Sequence, residues 1–294
     1  MKVFYNENQS VENNPSISPS AKKPTAVLKS WQEIVPVEIM PVVPVTVADL
    51  ELVHDREYVN DVISCRIENG FGNKLKTIAD SLLWTNGSFL SAAKYAVENK
   101  TNTVSPTSGF HHAGYYAGSG FCTFNGLMLA AITLKNAMLV NRVAIADLDM
   151  HYGNGTDCIL EQLSIRGMKD FISHYTFGGH LDTVDRGAKS RLAFGQAYTK
   201  LLPDIITRLL DDADVLFYQA GADPHVNDPY GGVLTTEELK ERDRIVFTIA
   251  KERGVPVVWN LAGGYQTDFS KVLEIHNNTA LLHVEIFENA PETL

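Results

Sequence analysis

Four short strand-like runs, near residues 143 to 148, 170 to 173, 215 to 220 and 256 to 261, alternate with helical stretches near 125 to 140, 156 to 165, 192 to 210, 236 to 253 and 270 to 287. Such alternation builds a parallel sheet flanked by helices, because each return to the same sheet edge needs a crossover about as long as a helix. The fold class this implies is α/β, with a mostly parallel central sheet. The chain has 294 residues and 45% hydrophobic content, enough apolar surface to fill one core of that kind. No shift of composition divides it, so residues 1 to 294 read as a single domain. Residues 7 to 26 are polar and proline-bearing, which makes residues 1 to 26 a loop over the body or a flexible arm. Pro203 is expected to kink or divide its helix.

Open parallel sheets collect ligand sites beyond the carboxyl ends of their strands. The passage ADLDMHYGNGTD, residues 146 to 157, ends such a strand: an apolar run from Val143 to Leu148 gives way to Gly153-Asn154-Gly155. Side chains alternate along extended chain, so Asp147, Asp149 and His151 share one side. Carboxylate and imidazole suit zinc, and a four-coordinate catalytic site takes three protein groups and leaves one position open. The run Val215 to Ala220 breaks at Gly221 and leads to Asp223, the third candidate. Alone, an Asp after a strand is more often a cap or turn residue. His225 and Asp228 compete for the role, although the turn Asp228-Pro229-Tyr230-Gly231-Gly232 gives Asp228 a structural task.

His111 and His112 stand together in SPTSGFHHAGYYAGSGFCTFNG, a Gly-rich loop before a helix. Adjacent loop histidines are often only solvated, but beside a metal-bound water one can take a proton while the other supports charge. Ala262-Gly263-Gly264-Tyr265 follows the last apolar run, and Tyr265 either packs over a pocket or donates to an oxyanion.

The order and spacing of these blocks resemble the histone deacetylase superfamily, which includes acetylpolyamine amidohydrolases and bacterial deacetylase-like proteins, from about residue 50 to 285. The resemblance implies a single catalytic zinc held by Asp149, His151 and Asp223. It makes His111 and His112 a catalytic dyad and Tyr265 the electrophilic donor. Asp147 would support His111, and the partner of His112 falls at Asn154, the amide of the class II-like branch. An amide stabilises an imidazolium less than a carboxylate does, so His112 is expected to be the general base and His111 its electrostatic partner. The likeness sets the carbonyl of Gly120 and the ring of Phe121 against substrate, with Gly263 nearby and Phe177 or His180 as the facing wall. A structural potassium ion is expected near Asp147, Asp149, His151, Ser173 and His174. The rim aspartate of many lysine deacetylases is not evident around Gly70-Phe71-Gly72-Asn73, where Asp61 and Asp80 are the alternatives.

These blocks imply hydrolysis of an N-acyl amide on a lysine side chain or a polyamine. An arginase-like binuclear manganese hydrolase would need a second Asp soon after His151, where this chain has Tyr152, Gly153 and Asn154. A non-catalytic acyl-lysine reader or metal-stabilised scaffold would keep the pocket without turnover. The formal charge of −10 excludes a global basic surface for nucleic acid and favours cationic substrates. Three cysteines without metal spacing point to a reducing compartment. The start lacks a secretory pattern, and no run reaches the ~20 apolar residues of a membrane span. The expectation is a soluble cytoplasmic protein, with which a homo-oligomer is compatible.

Overall fold

The computed structural model describes residues 1–165, 167–168, 170–180 and 188–289. Its strands are β1 (Lys2–Phe4), β2 (Glu38–Met40), β3 (Thr103–Ser105), β4 (Val143–Asp147), β5 (Ile172–Thr176), β6 (Val215–Gly221) and β7 (Val257–Ala262). They form one sheet in the order β2-β1-β3-β7-β6-β4-β5, with every neighbouring pair parallel. The helices among the described residues are α1 (Lys23–Ile34), α2 (Val47–Leu50), α3 (Arg56–Ile63), α4 (Lys76–Asn99), α5 (Gly126–Asn136), α6 (Asn154–Ile165), α7 (Ala188–Leu209), α8 (Thr236–Arg253) and α9 (Phe269–Phe287). None of them is long and apolar enough to cross a membrane.

The central strands are apolar on both faces because helices cover both. Ala144, Ala146, Leu216, Tyr218, Val257 and Trp259 join a core built with α1, α7, α8 and α9. Their alternating neighbours Val143, Ile145, Val215, Phe217 and Val258 join the opposite core, against α3, α4 and α5. Helix α8 begins with a capping box, Thr235 accepting from Glu238 N–H while the Glu238 carboxylate accepts from Thr235 N–H, and it stops at Gly254 in the left-handed region.

One cross-strand row breaks the apolar rule. Ser105, Asn260, Gln219, Asp147 and Thr176 lie side by side across β3, β7, β6, β4 and β5. Asn260 donates to Gln219 at 3.4 Å and Gln219 donates to Asp147 at 2.9 Å, so the row is hydrogen-bonded where it passes under the carboxyl edge.

Two expectations are corrected. Residues 1 to 26 are not an arm: Lys2–Phe4 pairs with both β2 and β3 inside the sheet, α1 starts at Lys23, and short 3-10 turns lie between. Of the two outcomes expected at Pro203, division is excluded, because helix α7 runs through it. Leu202 and Ile206 are fully buried on either side, and this packing outweighs the lost backbone bond.

Candidate active site

Asp149 and Asp223 each stand two residues beyond a strand, β4 and β6 respectively. The two strand ends are pressed together: a Cβ on Gly221 would meet the Cα of Asp149 at 2.6 Å. One donor atom from each of Asp149, His151 and Asp223 lies within 4.8 Å of the others. Nδ1 of His151 is 3.1 Å from Oδ1 of Asp149 and 2.9 Å from Oδ2 of Asp223. One ring N–H cannot serve both oxygens, and the buried Oδ2 of Asp223 accepts no hydrogen bond. Backbone donors fix the rest, His151 N–H to Asp149 at 2.9 Å and Met150 N–H to Asp223 at 3.1 Å.

Burial alone pushes both carboxyls up. His111 and His151 reverse this for Asp149 and hold it well below the usual carboxylate range, whereas Asp223, facing the Asp149 charge, is pushed up to about 7. Burial opposes a charge on His151, yet its hydrogen bond to Asp149 and the nearby Asp223 carboxylate raise it to about 11. Crowded carboxylates, an orphaned oxygen and an imidazole nitrogen turned onto both form a donor set that fits zinc, because a divalent ion removes the repulsion and fills the orphaned lone pair. The side chain of His151 is 36% exposed while Asp149 and Asp223 are buried, so the open side of the set faces solvent across His151.

The rings of His111 and His112 are 4.0 Å apart. Nδ1 of His111 donates to Asp147 at 2.8 Å, and Nδ1 of His112 donates to Oδ1 of Asn154 at 2.6 Å. The two surroundings shift the rings in opposite directions. Burial opposes charge on His111, but Asp147, Asp149 and Asp223 outweigh it and raise the ring to about 9. Burial and then the neighbouring His111 lower His112 to about 4.

Tyr265 lies beyond β7, and burial pushes its phenol far above the ordinary value, so it stays a donor. Asp228 accepts the backbone N–H of Tyr265 at 2.7 Å and that of Tyr230 at 3.0 Å. It therefore ties two tyrosine loops together, while His225 hydrogen-bonds Thr236; both stand apart from the triad. The Tyr265 ring is 5.7 Å from Phe121 and 4.8 Å from Tyr230, which is 6.4 Å from His151. Gly120 has φ of 52°, and a Cβ there would strike the His112 ring.

Residues 19–280 match the family model of the histone deacetylase domain. The chain belongs to the histone deacetylase family. It is 30% identical over 251 residues to an uncharacterized protein of Picosynechococcus sp., the match covering 80% of each chain. It is 28% identical to histone deacetylase 2 of Arabidopsis thaliana and 27% identical to a probable deacetylase of Methanothermobacter thermautotrophicus. Those matches cover 64% and 54% of this chain but only 50% and 51% of the two relatives. The crystal structure of the HDA15 HD domain shares the fold with a TM-score of 0.75 at 18% identity, covering 99% of this chain and 90% of that one.

Against the family likeness, the structure moves several side chains. Phe177 is no tunnel wall: it is 1% exposed and packs on Phe194 and Tyr198 in the core. The adjacent Gly178 abuts the backbone of His151, which leaves the Phe177 ring facing inward. The side chain of His180 lies outside the described residues. Gly263 lies against a metal-ligand candidate: a Cβ there would land on the Asp223 carboxylate, and its carbonyl accepts from Lys23. Ser173 accepts from Arg142 at 3.0 Å and His174 donates to Asp157 at 2.8 Å, side-chain bonds that do not bear on a potassium site expected mostly at backbone oxygens. Asp61 and Asp80 pair with Arg66 and Lys76 on the surface rather than with the cleft.

Two neighbours of the site escaped the sequence. Lys23 is fully buried against Gly263, its amine lowered to about 8 by burial despite Asp223, Asp149 and Asp228. Nothing in its polar, proline-bearing surroundings signals this. Gln219 carried a signal, a lone polar side chain inside an apolar run.

Proposed function

We propose that this chain is a zinc-dependent amidohydrolase that removes an acetyl or other acyl group from an N-acylated primary amine, a lysine side chain or a polyamine. The observation that carries the reading is a pair of adjacent imidazoles, one hydrogen-bonded to the Asp147 carboxylate and the other to the Asn154 amide, beside a donor triad open on one side. Asp149, His151 and Asp223 would hold the ion. Zinc bound there supplies Lewis acidity and brings the pKa of water toward ~7.

His112 is neutral, with Nδ1 committed to Asn154, so Nε2 is the atom that takes the proton of the attacking water. His111, kept as imidazolium by Asp147, faces the negative charge that develops on the former carbonyl. Tyr265 donates its hydroxyl to the same oxygen, and Asp228 fixes its backbone. The dyad then returns the proton to the departing amine, so water and amide become acid and amine. Phe121 and Tyr230, on either side of Tyr265, form the walls for the acyl-bearing chain. The net charge of −10 draws a cationic substrate toward the cleft. Free Cys65, Cys122 and Cys158 fit a reducing, cytoplasmic setting.

The test is amine release from acetyl-lysine peptides, acetylated polyamines and longer acyl-lysines by protein of measured metal content. Turnover of at least one class with about one zinc per chain supports the proposal. Binding of all three without release supports an acyl-lysine reader instead.

A further inference from the structure

Arg242 on α8 is 1% exposed. Its Nη1 donates to the carbonyl of Gly221 at 2.6 Å and to the carbonyl of Leu148 at 3.2 Å. Gly221 closes β6 and Leu148 follows the end of β4, so these two oxygens stand where the sheet ladder runs out. The Leu148 carbonyl belongs to the peptide that enters Asp149, and the Gly221 carbonyl to the peptide one residue before Asp223. The guanidinium is itself anchored. Nε donates to Asp243 at 2.9 Å and Nη2 lies 2.8 Å from the same oxygen. Asp243 accepts in turn from Thr279 of α9 at 2.6 Å and from Tyr218 of β6.

We infer that Arg242 is a positioning residue for the metal centre, a clamp that sets the separation of Asp149 and Asp223 from the backbone side; this rests on the metal reading proposed above. Two carbonyl oxygens that share one nitrogen cannot drift apart without breaking a charge-assisted bond in a dry interior. The ion pair with Asp243 occupies Nε and Nη2 and leaves Nη1 wholly to the ligand loops. A lysine keeps the charge but lacks the planar fork that holds all three oxygens at once.

The experiment measures zinc affinity by competition with a chromophoric chelator, with thermal unfolding of the metal-free protein as a parallel readout. Arg242→Met is combined with Asp243→Asn so that no unpaired charge is left buried. The expected result is about 10- to 100-fold weaker zinc binding by a folded protein, with part of the loss restored in Arg242→Lys. A folded double variant that binds zinc within twofold of the wild type overturns the clamp. If the double variant does not fold, Arg242→Lys decides alone, and unchanged affinity overturns the inference. Failure of both to fold assigns Arg242 to folding and also overturns it. Asp223→Ala separates the two layers: wild-type zinc uptake by that variant sinks the metal reading itself, and the clamp with it.

Discussion

Nδ1 of His112 donates to the amide oxygen of Asn154 at 2.6 Å, whereas the adjacent His111 donates to a carboxylate. Asn154→Asp places a full charge at that contact and favours the imidazolium, raising His112 from about 4. A general base works only unprotonated, so the acid limb of kcat/KM against pH moves upward, by about 1 to 3 units. A limb that stays in place, or moves down, removes His112 from the role of base.

Tyr265→Phe deletes one hydroxyl and leaves the ring packing between Phe121 and Tyr230. The expected loss is about 10²–10³ in kcat, with KM little changed and the fold intact. Steady-state kinetics with the best substrate of the panel check this; a loss confined to KM would make Tyr265 a wall rather than a donor.

Among the described residues, one His and carboxylate group has the geometry to hold an ion. Chelation should therefore abolish turnover, and about one equivalent of zinc should restore it. Two manganese ions per active chain, measured by elemental analysis, would favour arginase-like chemistry instead.

Gly263 combines positive φ with direct contact against the Asp223 carboxylate. Gly263→Ala therefore displaces a ligand candidate and strains the backbone together. Zinc affinity should fall by roughly tenfold or more, the scale seen when support of a ligand is lost. Retention of wild-type affinity, read by chelator competition, contradicts the cradle.

His54 is fully buried, with Nδ1 donating to Gly114 at 2.8 Å and Nε2 accepting from Asn125 N–H at 2.9 Å. Burial lowers its folded value from 6.5 to about 4. Above 6.5 neither state carries the proton and the stabilisation is complete. As pH falls below 6.5 the unfolded chain binds a proton that the folded one refuses, and the contribution is gone once pH passes about 4. The amount at stake is on the order of 3 kcal/mol. NMR should find the ring neutral down to about pH 5; titration near 6.5 in the folded protein would contradict the fixed tautomer.

The sequence disclosed the half of the fold in which pattern is dense. Strands near 143 to 148, 215 to 220 and 256 to 261 are found at Val143–Asp147, Val215–Gly221 and Val257–Ala262, because long apolar runs with abrupt glycine stops leave few alternatives. β1, β2 and β3 have three residues each, too few to show any periodicity, and their pairing is set by contacts distant in the chain. The site followed the same rule. Asp149, His151 and Asp223 announce themselves by chemistry at strand ends, while Lys23 and Arg242 act from a polar segment and a helix whose charged residues look like ordinary surface. Phe177 misled because an aromatic near the expected wall says nothing of which way its ring turns.

The orientation of His111 is inherited from strands: Asn260 holds Gln219, Gln219 holds Asp147, and Asp147 holds the ring. The segments that would admit substrate, around Phe121 and Tyr230, take no part in that chain of bonds. Selectivity in this scaffold is thus open to remodelling by exchanging loops, whereas transplanting any one of β4, β6 and β7 would misalign the His111 imidazole before a new substrate ever arrived.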